Sequence, residues 1–103
     1  MIKVSAMYPS GAGGRFDMTY YLTKHLPMAL ERLGTAVKGA SVEQGLTGAE
    51  PGSPPPYLAM GHLLFESVEA FQQSFGPHAQ ALFADLPNYT DIEPTIQISE
   101  VKL

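Results

Sequence analysis

The chain has 103 residues, 45% of them hydrophobic, and a formal net charge of −4. That is enough apolar side chain for one folded unit with a modest core, and too little clustered basic charge to follow a nucleic-acid backbone. With no cysteine, disulfides, thiolate catalysis and cysteine–zinc sites are excluded, and no apolar run approaches the roughly 20 residues that cross a bilayer.

The first segment, IKVSAMY (2–8), alternates Ile2, Val4, Ala6 and Tyr8 with Lys3, Ser5 and Met7, which is the period of a strand. It begins without the basic start and continuous apolar core of a signal peptide. A single domain over 1–103 and a cytoplasmic location are therefore expected. PSGAGG (9–14) reads as a loop whose glycines lack the GxGxxG spacing of a nucleotide cradle. Asp17 follows as a helix cap, because its carboxylate can accept from the free amides of a first turn. Met18, Leu22, Leu26, Ala29 and Leu33 then predict an apolar helical stripe ending at Gly34. Pro27 falls inside it. Proline has no amide proton for the Thr23 carbonyl and disfavours helical geometry at Leu26, so the helix is expected to kink or split over residues 25–27.

VKGASVEQ (37–44) predicts a second strand, with Gly39 as the place for a bulge. GLTGAEPGSPPP (45–56) is a proline-stiffened connection, expected to be ordered. YLAMGHLLF (57–65) is a strand apolar at both parities, which implies cover on both faces. Ser67 caps a helix with Val68, Phe71 and Phe75 on its buried side. Gly76-Pro77 ends it and opens a short helix carrying Ala79, Leu82, Phe83 and Leu86. A turn-rich LPNYTD (86–91) leads to a last strand with Ile96 and Ile98 on one side. The order β-α-β-β-α(α)-β predicts an α+β, ferredoxin-like fold: a four-stranded antiparallel sheet with helices on one face. Its bare second face, apolar in the third strand, predicts a sheet-to-sheet homodimer.

The chain has three histidines, the residue type best suited to proton transfer. His25 lies off the centre of the predicted stripe, one turn after Tyr21, at the border of core and water. Beside a kink it is either a site residue facing a cavity or a half-buried ring bonded to backbone. His78, at the start of a short helix where the dipole disfavours a positive ring, is a base, donor or ligand, or else a surface residue. His62, in the most apolar strand, reads first as a satisfied core histidine. Met18, Met28 and Met60, with Tyr8, Tyr21, Phe71 and Phe83, are candidates to line a soft pocket for a small hydrophobic molecule, or are simply core. HxH, HExxH, GxSxG and Walker patterns are all absent, so no metal and no cofactor are expected. Nucleic-acid and membrane partners are not expected either.

Arg15-Phe-Asp17, Tyr21-x-x-x-His25-x-Pro27, Ser67-Val-Glu-Ala-Phe71, Gly76-Pro77-His78-Ala79 and Asp85-Leu-Pro87-Asn88-Tyr89-Thr90 follow one another in an order similar to that of the EthD family, named for ethyl tert-butyl ether degradation. The resemblance runs from the first strand to the closing IQISEV. It implies the dimeric α+β barrel superfamily, with a pocket between sheet and helices. Relatives there include metal- and flavin-free monooxygenases, muconolactone-isomerase-like enzymes, polyketide dehydratases and cyclases, and haem-binding members. Carried over residue by residue, it points to Tyr21, His25 and His78 as catalytic acid–base candidates, close together in space. Asn88 and Tyr89 would stand at the pocket rim. By residue type rather than by the resemblance, Met28, Met60, Tyr8 and His62 are expected toward the ligand. The other roles are an oxygenase accessory or ligand-carrier protein, and a haem-binding member with one histidine as axial ligand.

Overall fold

The structure is a computed structural model and describes residues 1–11 and 14–103; Ala12 and Gly13, inside the expected glycine loop, lie outside the described residues. Strands β1 (Ile2–Pro9), β2 (Gly39–Gln44), β3 (Tyr57–Phe65) and β4 (Thr95–Glu100) form an antiparallel sheet in the order β2-β3-β1-β4. Helices α1 (Met18–Tyr20) and α2 (Leu26–Leu33) separate β1 from β2, and α3 (Val68–Phe75) and α4 (Ala79–Ala84) separate β3 from β4. This is the ferredoxin-like α+β arrangement that the sequence pattern predicts.

The side-chain period of two sorts β1 and β3 onto two faces. Ile2, Val4, Ala6 and Tyr8 pair across with Phe65, Leu63, Gly61 and Ala59. These lie on the helix side, where Tyr8 and Ala59 cluster with Tyr21, and Ile2 and Phe65 with Leu33. Lys3, Ser5 and Met7 pair with Leu64, His62 and Met60 on the opposite, open face. The expected bulge at Gly39 does not occur: Gly39 pairs with Leu64 in unbroken register. Its missing side chain instead makes room, since a Cβ there would lie 3.0 Å from Leu64 Cδ1. The register shifts at Tyr8/Pro9, where proline has no ladder donor. The 45–56 connection is ordered as expected, with Gly48 N–H donating to the Ser53 carbonyl (3.1 Å) and Thr47 Oγ1 to the same carbonyl (3.0 Å).

Both predicted caps form: Tyr20 N–H donates to Asp17 Oδ1 at 3.0 Å, and Ala70 N–H to Ser67 Oγ at 3.0 Å. Asp17→Ala and Ser67→Ala are each expected to lower stability by about 1 kcal/mol. Urea unfolding checks this as a lower midpoint at unchanged slope.

The helix carrying Pro27 is neither broken nor regular. A π turn, Tyr21–His25, joins α1 to α2, and Leu26 N–H donates five residues back to the Tyr21 carbonyl. Pro27 then falls in the first turn of α2, where no amide donor is needed. The wider turn resolves the proline conflict and also corrects the predicted stripe. Leu22, expected inward, is 48% exposed, while His25, expected at the border, is buried at 9%. The inward residues are Tyr21, His25, Ala29 and Leu33.

Candidate functional site

A cavity of about 150 Å³ lies between the sheet and the helices. Its wall is mostly carbon, from Val4, Ala6, Leu63, Phe71 and Phe75 among others, with hydrogen-bonding side chains from Tyr8, Tyr21, His25 and Tyr89. The π turn supplies two of these four. Tyr21 and His25 stack with ring centroids 5.5 Å apart and planes 13° from parallel. Tyr89 packs on His25 at 4.7 Å.

Tyr89 reaches this place because the segment before the first helix clamps the segment after the last one. Asp17 N–H donates to the Tyr89 carbonyl (2.7 Å), Thr90 Oγ1 to the Arg15 carbonyl (2.6 Å), and Arg15 Nη2 to the Pro87 carbonyl (3.0 Å). A short 3₁₀ turn, Leu86–Asn88, lies between. The clamp also delivers Asp85. Its Oδ2 accepts from His25 Nδ1 at 2.9 Å, and its Oδ1 accepts from the Tyr20 hydroxyl at 2.8 Å and Asn88 Nδ2 at 2.9 Å.

Burial on its own would raise the Asp85 carboxyl. Hydrogen bonds from Asn88, His25 and Tyr20 outweigh it and hold the group below the usual carboxylate range. The Tyr20 hydroxyl is pushed up in turn by its bond to that carboxylate. An ionised Asp85 keeps the proton of His25 on Nδ1. That leaves Nε2 as the free nitrogen of a ring on the cavity wall, and no hydrogen bond occupies it among the described residues.

The phenols form the other polar element. Tyr8 and Tyr89 hydroxyl oxygens are 2.9 Å apart, and the Tyr21 hydroxyl stands beside that of Tyr8. Burial is the largest cause for each and pushes all three well above the ordinary phenol value, against a smaller lowering of Tyr89 by its bond with Tyr8. They are therefore proton donors at any working pH. Tyr21 has this position because β3 carries Gly61 beneath it: a Cβ on Gly61 would lie 2.2 Å from the Tyr21 hydroxyl oxygen.

The EthD domain model matches residues 15–93 of the chain. The chain belongs to the EthD family. An EthD-like protein from Ralstonia eutropha JMP134 is 44% identical, over 99% of this chain and 92% of that one, with a TM-score of 0.95. An EthD family protein from Bacillus halodurans C-125 shares the fold at 16% identity and a TM-score of 0.68, over 99% of both chains. A Shewanella loihica PV-4 protein does so at 12% identity and 0.61, over 99% of this chain and 94% of that one. No curated protein matches the chain.

Of the residues expected at the site of this EthD protein, Tyr8, Tyr21, His25 and Tyr89 meet at the cavity. Tyr89 stands deep in the wall rather than at a rim, at 1% exposure. Asn88 is exposed and reaches the site through its hydrogen bond to Asp85. Met28 and Met60 do not line the cavity. Met60 and the imidazole of His62 are on the open face, because strand alternation gives the cavity side to Ala59, Gly61 and Leu63. His62 borders the cavity along its strand, but its ring lies with Nδ1 2.7 Å from Ser5 Oγ and Nε2 2.8 Å from Glu43 Oε1. It is a satisfied histidine, on the sheet surface rather than in the core. His78, in the turn Gly76–His78, shares no hydrogen bond or ring contact with Tyr21 or His25 among the described residues and is not on the wall.

The partner of His25 is Asp85 instead. The motif stretch contains Asp85, but no local spacing ties it to a ring 60 positions earlier. Among the described residues no group of three or more His, Cys, Asp or Glu could hold a metal ion. The cavity volume suits about one aromatic ring.

Proposed function

We propose that this EthD protein is a cofactor-free acid–base enzyme that binds a small apolar organic molecule in the cavity and moves a proton with His25. One observation carries the reading: Nδ1 of His25 is held by an ionised Asp85 while Nε2 stays free on a carbon-lined wall. A C–H or O–H proton of the substrate passes to Nε2, and the electron pair remains on the substrate as an enolate or phenolate. Asp85 stabilises the imidazolium, and the Tyr8–Tyr89 hydroxyl pair donates its free proton to the developing oxyanion. Isomerisation, dehydration with cyclisation, and cofactor-free oxygenation can each begin with that proton removal. The reading is tested by incubating the protein in D₂O with a panel of small enolisable carbonyl compounds and following C–H loss by NMR. Exchange that His25→Ala leaves untouched, or no exchange across the panel, overturns it.

The same reading includes a homodimer through the open face. Met7, Met60 and Leu64 are only half-buried there, around the Ser5–His62–Glu43 chain. A second copy packed sheet against sheet would cover them. Sedimentation at micromolar concentration is expected to give twice the chain mass. Monomer mass would remove this part of the proposal.

A further inference from the structure

The cavity wall carries three phenol hydroxyls, of Tyr8, Tyr21 and Tyr89, beside the free Nε2 of His25. Tyr8 and Tyr89 share one hydrogen bond and the Tyr21 hydroxyl stands beside that of Tyr8, so this row of three hydroxyls uses at most two of its three protons internally and leaves one with no acceptor among the described residues. That proton needs an oxygen from outside the protein. Among the described residues no lysine or arginine lines the wall, and ionised Asp85 stands directly behind His25. An anionic ligand would find no counter-charge except an imidazolium already paired, so the site selects for an uncharged one. Size adds a limit, because an apolar cavity of about 150 Å³ accepts a molecule as large as benzene. Phe83 and Ile96, 49% and 47% exposed, belong to both the wall and the surface and so mark the mouth.

We infer that the ligand is an uncharged molecule of one six-membered ring bearing a single acceptor oxygen, seated with that oxygen on the Tyr8–Tyr89 hydroxyl pair. Substituents beyond the ring leave past Phe83 and Ile96, so a fused polycyclic molecule fits only by projecting into solvent. The inference rests on the proton-transfer reading for its orientation alone: an oxygen at the phenols turns the adjacent C–H toward His25.

Cyclohexanone, benzene and benzoate serve as probes, titrated into the protein and followed by NMR shifts of the cavity residues. Cyclohexanone is expected to bind more tightly than benzoate. The Tyr8→Phe/Tyr89→Phe double variant should lose about tenfold of its affinity for cyclohexanone while its affinity for benzene is unchanged. The ¹³C carbonyl resonance of bound cyclohexanone reports the same contact in the unaltered protein: it should stay at its hydrogen-bonded, aqueous position. A move to the position seen in hydrocarbon solvent overturns the inference. So does tighter binding of benzoate, equal binding of cyclohexanone by the double variant, or no binding of any probe. Hydrogen-bonded binding without deuterium exchange would sink the proton-transfer reading and leave the ligand class standing. Exchange with a carbonyl resonance at the hydrocarbon position would do the reverse.

Discussion

His25→Ala is expected to lower the rate of substrate deuterium exchange by about 10²- to 10⁴-fold, the usual effect of removing a positioned general base. Asp85→Asn should fall in the same direction for a different reason. The carboxylate offers two oxygens to three donors, from His25, Tyr20 and Asn88. An amide offers one oxygen and presents its NH₂ group to at least one of those donors. The imidazole then loses both its fixed tautomer and the charge that stabilises its protonated form. Stability should follow pH accordingly. Asp85 is depressed in the folded state, so its contribution is complete above the unfolded carboxyl value of about 4 and is lost as pH falls through the lower folded value. Unfolding midpoints measured downward from pH 5 should therefore drop more steeply for the native protein than for Asp85→Asn. Parallel curves would show that the carboxylate is not held as described.

Gly61→Ala is expected to damage both stability and site. The new methyl would lie 2.2 Å from the Tyr21 hydroxyl oxygen and 3.3 Å from its ring carbon Cζ. The ring has no free direction, because Tyr8, Phe16, His25 and Tyr89 all pack on it. The helix must shift or the ring must leave its rotamer, costing about 1–3 kcal/mol. Gly61→Ala combined with Tyr21→Phe removes the oxygen and should recover most of the loss, a coupling that urea midpoints of the two single variants and the double variant measure directly. Gly39→Ala is the control. Its methyl would meet only the tip of Leu64, at 3.0 Å, on the open face. If the double variant is as unstable as the sum of the singles, the phenol is not the obstacle.

The strands and helix starts were readable because their signals are local. Alternation over 2–8, an apolar run over 57–65, and caps at Asp17 and Ser67 need no distant information. Tyr21, His25 and Pro27 were readable as a group for the same reason: one helix holds all three. The phase of that helix was not, because a regular 3.6-residue turn assigned Leu22 inward and His25 to the border. Chemical type places Met60 and His62 toward a ligand, but the strand period gives that side to Gly61. Asp85 lies beyond any periodic argument, since its bond to His25 depends on how Arg15, Asp17 and Thr90 tie two remote segments together. A family motif can mark such a residue, but only the fold supplies its partner.

The π turn also acts as a phase corrector. Tyr21, His25, Ala29 and Leu33 are buried at intervals of four residues. On a regular α-helix each such step winds about 40° further around the axis, so the row would spiral off the sheet. A turn with more residues in it cancels part of that winding and lets the cavity end and the packing end of one helix face the same surface. Deleting a single residue between Tyr21 and His25 would leave a more regular helix. It would also rotate the ring pair and the Ala29–Leu33 face out of alignment, so in this protein the local irregularity is what keeps the longer row in register.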